Sequence, residues 1–439
     1  MRLPIIIARG LVCTLAALAL LVPRPAPAIE LDAISKAAAG YTVGDPKLQS
    51  MYRAALLNTN KQVTIASDGT AYVKTGDIPA EWLRDASVQV RPYLFFAKTD
   101  PQVAGLLRGA IARMGKYLQV DPYANAFTLD YRVWERKFEL DSLAYPITLA
   151  WTYWKQTGDT SVFTGDLSLG FDSALATMER EQDHTRNSKY THKEMVDGKG
   201  KPVAYTGMIW TGFRPSDDAC SLNYLIPSEM MAVVALGDLE EIERDVYHNI
   251  IKAQRAKTLR DQVQAGIQNY GIEFLPNYGY VYAYEVDGFG NKVLIDDANV
   301  PSLLSAPYIG YTKSSSFIYR NTRKFLLSKD NVTYYVGKYA RGIGSQHTTD
   351  NFVWPIAMLM QGFTATSDAE RKDVLSQLLA SDPGDHLLHE SFNPDDPTKF
   401  TRADFGWPNA LFSEYVMTAF EGVPALPVGS TTDLGFRGD

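Results

Sequence analysis

The sequence has very little cysteine. Of its 439 residues only Cys13 and Cys220 are cysteines, and Cys13 lies in an N-terminal segment that we expect to be removed. No internal disulfide can therefore stabilise the mature chain, although its start indicates export. The six histidines are scattered along the chain, so a histidine-built metal site has little support. Stability must come from a large core, and a hydrophobic content of 46% is typical of one.

Several motifs that define other protein classes are also missing. The chain has no Gly-rich phosphate-binding loop, no Gly-x-Ser-x-Gly elbow and no His-Glu-x-x-His motif. Its net charge is −7 and it has no basic stripe, which argues against nucleic acid as a partner. No segment after residue 28 is long and apolar enough to be a membrane helix.

The first 28 residues have the pattern of a signal peptide. Arg2 and Arg9 precede the apolar run Leu11–Val22, and Ala26-Pro-Ala28 follows it, which places cleavage near Ala28. The apolar run is too short to span a membrane comfortably. We therefore expect a secreted or periplasmic protein without a membrane anchor. Residues 29–439 contain no evident linker, and we expect them to form one domain that acts as a monomer.

The mature chain contains an alternation of two kinds of helix. Amphipathic segments, with one apolar and one charged face, alternate with segments that are apolar nearly all round. The amphipathic segments are 101–118, 239–257 and 367–379, and the apolar ones are 87–96, 141–155, 230–236, 351–360 and 407–420. Ser228 is a plausible N-cap for the third apolar helix, and Ser367-Asp-Ala-Glu370 has the form of a capping box.

Apolar helices alternating with amphipathic ones predict an all-α fold in which an outer set of helices wraps an inner set. Ordinary helix and loop lengths give roughly a dozen helices, arranged as an α/α toroid. The Gly- and Tyr-rich residues 270–297 interrupt the pattern and are expected to form a long ordered loop or a small hairpin.

The most unusual stretch is Gly212–Met230. It places Arg214 and two adjacent carboxylates, Asp217 and Asp218, in a Pro-bounded segment just before an apolar helix. Acidic residues among aromatic neighbours and next to a buried helix are energetically expensive unless they have a purpose. The structural alternative is a turn whose aspartates offset the helix dipole.

Three further polar stretches precede apolar helices. Trp82, Arg84 and Asp85 come just before one of them, where a guanidinium can donate to sugar hydroxyls and a carboxylate can accept from them. A purely structural Arg–Asp pair is the alternative. Trp134 and Glu135 begin the charged stretch 134–141, and His347, which could donate to a hydroxyl, is more often a structural residue in such a position. Residues 296–301 have the pattern of a turn and cap.

The last polar stretch is His389-Glu390-Ser-Phe392. Glu390 lies between His389 and Phe392, so we expect it to be partly desolvated, and its charged form then needs hydrogen bonds or a catalytic role. An Asp pair and a distant Glu, both next to helix ends, suit an acid and a base on either side of a glycosidic bond. An aromatic content of 12% is a weak further indication of sugar stacking.

Five blocks of the sequence together resemble the signature of glycoside hydrolase family 125. They are Gly76–Asp85, Val133–Asp141, Phe213–Ala219, Asp297–Ser302 and His389–Phe392, which follow the family order over nearly the whole mature chain. The resemblance implies an (α/α)6 barrel that uses neither metal nor cofactor. It also implies an inverting exo-α-1,6-mannosidase acting on α-1,6-mannoside oligosaccharides of N-glycan or mannan type.

The resemblance also implies roles for individual residues. Glu390 matches the general base, and one Asp of Arg214–Asp218 matches the general acid. Asp217 is favoured because two neighbours in an open turn point in different directions, but Asp218 stays an alternative. The residues expected to bind the sugar are Arg84 and Asp85 together with Trp82, Trp134, Glu135, Arg214, His347 and His389.

Two other functions fit parts of the same pattern. One is an α/α-barrel glycosidase that acts on α-glucosides, which would release glucose but not mannose from model glycosides. The other is a secreted glycan-binding protein that has lost turnover and would bind mannobiose without hydrolysing it. The intact carboxylate motifs argue against the second.

Overall fold

The computed structural model describes residues 31–40 and 45–429, so the expected signal peptide lies outside the described residues. Most of the regular structure in these ranges is helical. The fourteen helices found there are α1 (Asp32–Gly40), α2 (Pro46–Gln62), α3 (Leu83–Val90), α4 (Leu94–Ala97), α5 (Pro101–Val120), α6 (Leu140–Thr157), α7 (Gly165–Glu181), α8 (His184–Asn187), α9 (Ile226–Asp245), α10 (Ile250–Tyr270), α11 (Phe317–Leu326), α12 (Pro355–Phe363), α13 (Asp368–Ala380) and α14 (Gly406–Ala419). No helix in the described ranges is long and apolar enough to cross a bilayer.

The strands in the same ranges are short and pair in six small antiparallel sheets. They are β1 (Val63–Ile65), β2 (Ala71–Val73), β3 (Glu81–Trp82), β4 (Ala126–Phe127), β5 (Val133–Glu135), β6 (Tyr224–Leu225), β7 (Ile272–Leu275), β8 (Gly279–Tyr282), β9 (Glu285–Val286), β10 (Lys292–Val293), β11 (Tyr334–Val336), β12 (Arg341–Ile343), β13 (Ser391–Asn393) and β14 (Asp396–Thr401). The prediction for residues 270–297 is confirmed, since they contain the hairpin β7–β8 followed by β9 and β10.

The inner ring of the barrel consists of helices that are buried on nearly every side. These are α3 with its continuation α4, α6, α9, α12 and α14, and neighbours in the ring pack against each other. Between α9 and α12 the sixth inner place is taken by consecutive turns at residues 304–310. Ile309 of these turns lines a cavity with Met231 of α9, and the Tyr308 ring lies 4.8 Å from that of Phe363 in α12. The predicted (α/α)6 barrel is confirmed, with turns in place of one inner helix.

The outer ring consists of α2, α5, α7, α10, α11 and α13, each with one face exposed. Five of them begin at a residue whose side chain accepts a hydrogen bond from a backbone N–H of the first turn, and these residues are Asp45, Asp100, Thr164, Asn249 and Ser367. Such a cap stabilises a helix by about 1 kcal/mol. The cap predicted at Ser367 is confirmed, because Glu370 N–H donates to its Oγ at 3.3 Å.

Two local predictions around the third inner helix are wrong. Ser228 lies inside α9 and not at its N-cap position, because the helix already begins at Ile226. Pro227 favours this start, since its missing N–H costs nothing in a first turn. The predicted helix 239–257 spans a break: α9 continues to Asp245, and α10 begins only at Ile250 after its cap Asn249.

The links between helices differ at the two ends of the barrel. Links from an inner to an outer helix are short, for example Phe363 to Asp368 and Asp245 to Ile250. Links from an outer to an inner helix are long and contain all fourteen described strands. Because helices joined by short links run antiparallel, the long links gather at one end. We call it the open end, and it is where a site can form.

The inner helices all begin at the open end, and none of them has a side-chain cap. Their N-cap residues are Trp82, Glu139, Leu225, Trp354 and Phe405. Each helix start carries a partial positive charge of about half an elementary charge, from its unpaired N–H groups. The open end is therefore suited to hold carboxylates, and Asp85 and Asp141 lie in the first turns of α3 and α6.

Candidate active site

Polar residues from several separate stretches meet in a cavity of about 360 Å³ at the open end. The predicted site residues that line it are Trp82, Arg84, Asp85, Asp217, His347 and Glu390. Its wall is completed by Thr75, Ile78, Pro215, Ser216, Asn299, Trp354, Arg402, Phe405 and Trp407. Its lining combines aromatic rings with a few charged groups, which is typical of a ligand pocket.

A second cavity, of about 560 Å³, lies deeper among the inner helices. Its walls come from the middle of α3, α6 and α9 and from Val428 and Gly429 near the C-terminus. Asp238 is the one carboxylate among its lining residues. Of these two cavities, the one at the open end is therefore the candidate for a reaction that needs two carboxylates, although the deeper one is larger.

Arg84 is the centre of a buried cluster of carboxylates. Its Nη1 donates to Glu139 Oε2 at 2.6 Å and to Asp141 Oδ2 at 3.2 Å. Its Nη2 donates to Asp217 Oδ1 at 3.1 Å, and its Nε lies 3.5 Å from Asp85 Oδ2. Arg84 is 3% exposed, and Asp85, Glu139 and Asp141 are buried to a similar degree, so the charge of Arg84 is largely committed to its carboxylate partners.

The acidic groups of this cluster have strongly shifted pKa values. Burial, opposed by Arg84, raises the pKa of Asp85 to about 6 and that of Asp141 to about 6. Burial and the nearby carboxylates likewise hold the pKa of Glu139 well above its usual range. Burial alone would raise the pKa of Asp217 too, but the Arg84 guanidinium and a hydrogen bond with Glu139 hold it below its usual value. Burial therefore favours a proton on Glu139, whereas Arg84 favours the ionised form of Asp217.

Asp217 and Asp218 point to different places. Asp217 has a φ of 66°, in the left-handed region that Asp tolerates better than most residues, and its side chain lines the cavity. Asp218 is instead held by its neighbours: Ser216 Oγ donates to Oδ2, and His347 Nδ1 lies 3.1 Å from Oδ1. The turn therefore presents one of the two carboxylates to the cavity.

His347 lies at the rim of the cavity, with 37% of its side chain exposed. Its hydrogen bond with Asp218 raises the pKa of His347 above its ordinary value, against the effect of burial. The charged imidazolium is a donor at both ring nitrogens. One nitrogen faces Asp218, and the other can donate to a ligand.

Glu390 enters the cavity from another link. It immediately precedes β13, and its backbone N–H donates to Thr401 O across to β14. The residue is 6% exposed, as the sequence predicted, and Arg402 Nη1 lies 3.6 Å from its Oε1. Arg402 is held in place by Asp77, to which its Nη2 donates at 2.8 Å. Glu390 is therefore a fixed carboxylate on a different wall from Asp217.

Arg214 does not line the cavity but fixes the loop that carries Asp217. Its Nε donates to Glu285 Oε1 at 2.6 Å and its Nη1 donates to Gln346 Oε1 at 2.8 Å. Glu285 Oε2 in turn accepts from two backbone N–H groups of the same loop, those of Ser221 and Leu222. Arg214 thus ties the Asp217 loop to β9 and to the segment that carries His347.

Besides Arg214, three predicted sugar-binding residues lie outside the cavity lining. Trp134 is half exposed on β5, and Glu135 beside it accepts from Asn125 Nδ2 at 2.9 Å. His389 is buried, stacks on Phe400 with the ring centroids 3.7 Å apart, and contacts Ala403 O at 3.2 Å. The His389 ring thus packs against Phe400 of β14, whereas the neighbouring Glu390 lines the cavity.

The sequence analysis did not select the residues that support Asp217. These are Glu139, Asp141 and Asn125, whose Nδ2 reaches Asp217 Oδ1 at 3.3 Å. Glu139 and Asp141 belong to the charged stretch 134–141, from which Trp134 and Glu135 were chosen instead. The position of Glu139 and Asp141 at the start of an inner helix could have indicated them, because residues at the starts of α3 and α14 line the cavity.

Comparison with known proteins identifies the family. A family model described as metal-independent α-mannosidase, glycoside hydrolase family 125, matches residues 45–417. The meiotically up-regulated gene 157 protein of Schizosaccharomyces pombe is 38% identical over 395 residues, which cover 81% of this chain and 77% of that protein.

Solved structures agree with this match. A Streptococcus pneumoniae protein, from a family of metal-independent α-mannosidases and in a non-productive complex with α-1,6-mannobiose, is 41% identical. It matches with a TM-score of 0.84 over 89% of this chain and 97% of its own. A bacterial glucoamylase complexed with acarbose is 15% identical, with a TM-score of 0.61 over 84% of this chain and 55% of its own, and shares the fold alone.

The family model and the 38% identical relative both cover most of the chain, and four of the five sequence blocks that carry the family pattern contribute lining residues to the open-end cavity. The chain therefore belongs to glycoside hydrolase family 125, the metal-independent α-mannosidases.

Proposed function

We propose that this protein is an inverting exo-α-1,6-mannosidase that removes terminal mannose from glycans of N-glycan or mannan type. The observation that carries the proposal is that Asp217 and Glu390 line one small cavity from different links. A carboxyl on each side of the sugar is the arrangement that glycosidases use. The α-1,6-mannobiose bound to the S. pneumoniae relative supports the choice of sugar and linkage.

In this proposal Asp217 is the general acid and Glu390 the general base. Asp217 protonates the glycosidic oxygen as the bond to the anomeric carbon breaks, and Glu390 takes a proton from the water that attacks the opposite face. Such a scheme needs the two carboxyl groups to be roughly 6.5–9.5 Å apart, whereas a retaining pair would be near 5 Å.

Sugar binding in this scheme uses the remaining polar groups of the cavity. Asp85 accepts from hydroxyl groups, and His347 donates to them from the rim. Trp82 and Trp407 line the cavity and offer it aromatic rings, against which a sugar ring can pack. Arg84 acts mainly through Asp217, because carboxylates already occupy its Nη groups.

Hydrolysis of α-1,6-mannobiose followed by proton NMR tests the proposal. We expect β-mannose as the first product, formed in buffer that contains EDTA, because a single displacement inverts the anomeric carbon. α-Mannose as the first product would contradict the inverting scheme. Release of glucose from α-glucosides, without release of mannose from mannobiose, would assign the site to another sugar.

Replacing Asp85 by asparagine should lower kcat/KM for mannobiose about 10–100-fold, since a hydrogen bond to a charged group contributes about 1.5–3 kcal/mol. The pKa of about 6 adds a second expectation. The ionised acceptor is present above that pH and is lost below it, so the wild-type KM should rise as the pH falls through about 6. The Asp85→Asn variant should lack this rise.

Asp130, whose side chain is 58% exposed, offers a matched control for the same acid-to-amide change. Asp130→Asn should keep the wild-type kcat/KM and its pH dependence. A folded Asp85→Asn variant with wild-type kcat/KM would mean that Asp85 only balances the charge of Arg84.

A further inference from the structure

The proposed general acid has a second carboxyl group beside it. Glu139 ends the link before α6, is 1% exposed, and is hydrogen-bonded to Asp217 through their carboxyl groups. Its Oε2 also accepts from Arg84 Nη1 at 2.6 Å and from Ser142 Oγ at 3.0 Å. Two carboxyl groups in direct contact must share a proton, because two like charges at this distance repel strongly.

The balance of charges around Glu139 and Asp217 also indicates that the two carboxyl groups share a proton. The charged groups that face Glu139 or Asp217 are Arg84, Asp85, Glu135, Lys137, Asp141 and His347. Arg84 alone contacts four carboxylates, and one guanidinium cannot neutralise four anions when three of them are buried. A proton therefore stays in the cluster, and burial favours the group that is farther from solvent. Asp217, with 23% of its side chain exposed, opens onto the cavity, whereas Glu139 is sealed behind it.

An amide fixes how the two carboxyl groups face each other. Asn125 Oδ1 accepts from the backbone N–H of Lys137 at 3.1 Å, which turns the Nδ2 group the other way. That Nδ2 lies 3.2 Å from Glu139 Oε1 and 3.3 Å from Asp217 Oδ1. Asn125 is fully buried, and its two N–H groups are shared among these two oxygens and Glu135 Oε2 at 2.9 Å, so it keeps the two carboxyl groups next to each other.

These contacts also address a difficulty in the proposed mechanism. A general acid must carry a proton when the glycosidic bond breaks, yet Arg84 favours the ionised form of Asp217. We propose that Glu139 stores the proton that Asp217 delivers to the leaving oxygen. This inference rests on the proposed role of Asp217, and Glu139 is a positioning residue because it acts through Asp217 and does not touch the sugar.

The proton and bond changes balance in this scheme. The Glu139 carboxyl passes its proton to the Asp217 carboxylate as Asp217 protonates the glycosidic oxygen, and the electron pair of the breaking bond stays on that oxygen. Water adds to the anomeric carbon and gives one proton to Glu390. After product release, Glu390 loses this proton to solvent and the Glu139–Asp217 pair takes one up through the open cavity. The net change is addition of one water across the glycosidic bond.

The test compares two substrates that need a proton to different extents. α-1,6-Mannobiose has a poor leaving group, whereas 2,4-dinitrophenyl α-mannoside leaves with little protonation. For Glu139→Gln we expect kcat/KM to fall about 10²-fold on mannobiose and to stay within about threefold on the aryl substrate. The alkaline limb of the mannobiose profile should also move to lower pH. The reason is that Asp217 must then hold its own proton, which it loses more readily. Equal losses on both substrates, or an unmoved limb, would overturn the inference.

Asp141→Asn is the matched control, since Asp141 is a buried carboxylate on the same Arg84 Nη1. It should lower kcat/KM equally on both substrates, and a loss confined to mannobiose would show that Glu139 has no special role. Asp217→Asn separates the two proposals. If it shows the leaving-group dependence and Glu139→Gln does not, only the present inference fails. If neither shows it, the acid assignment fails as well.

Glu139→Asp provides a second test of the proposal if the Glu139→Gln variant does not fold. The shorter side chain keeps the acid but withdraws it from Asp217, so the loss should again be larger on mannobiose than on the aryl substrate. Equal losses would count against the proton store.

Discussion

Replacing Glu390 by glutamine should reduce kcat on α-1,6-mannobiose by about 10²–10⁴-fold while leaving the dissociation constant of mannobiose nearly unchanged. Glutamine has the shape of glutamate and fills the same place in the cavity wall. It cannot take a proton from the attacking water, so the loss falls on the chemical step. Steady-state kinetics give kcat, and isothermal titration calorimetry with the inactive variant gives the dissociation constant.

A nearby carboxylate provides the control for this change. Asp385 lies 3.3 Å from the buried His389, and its own side chain is 46% exposed, outside the cavity lining. Asp385→Asn should therefore retain kcat. If Glu390→Gln keeps kcat within about threefold of wild type, Glu390 cannot be the base, because a positioned base contributes at least about 10²-fold.

Asp217→Asn should produce the second large effect, a loss of about 10²–10⁴-fold in kcat/KM on mannobiose. The loss should be much smaller on 2,4-dinitrophenyl α-mannoside, because that leaving group departs without help from an acid. Asparagine has nearly the size of aspartate but cannot deliver a proton. Comparing the two substrates therefore separates acid catalysis from sugar positioning. The measurement is kcat/KM for both substrates over a range of pH.

Asp218→Asn is the decisive comparison for this prediction. Asp218 is held by Ser216 and His347 and does not line the cavity, so its variant should lose similar activity on both substrates. If Asp218→Asn shows the leaving-group dependence and Asp217→Asn does not, the acid is Asp218 and the turn opens differently when substrate binds.

Much of the fold could be predicted from the sequence, because the burial of a helix is visible in its composition. The apolar segments 141–155 and 407–420 became inner helices, and 101–118 became an outer one. The sixth inner place could not be predicted in the same way, since residues 304–310 are too short and irregular to show a helical period. The end of α9 was missed because Leu239 and Ile242 continue its buried face past the expected break.

The site was predictable by stretch but less so by residue. The polar stretches that contain Trp82, Asp217 and Glu390 contribute residues to the cavity lining, whereas the stretch 134–141 does not. Which side chain turns inward depends on local backbone geometry, such as the positive φ of Asp217. The buried role of Glu139 depends on contacts with Arg84 and Asp217, which are 55 and 78 positions away in the chain, and only folding brings these together.

The contrast between the two ends of the barrel has a consequence for how such an enzyme can change over time. The capped starts of the outer helices and the short links lie at the other end of the barrel, up to about 30 Å from the open end for a 20-residue helix such as α9. Mutations there can tune thermal stability with little effect on chemistry. Insertions in the long links can alter which glycan is accepted while the helical frame stays intact. Stability and specificity are therefore separable traits in this fold, and selection or protein engineering can act on one without the other.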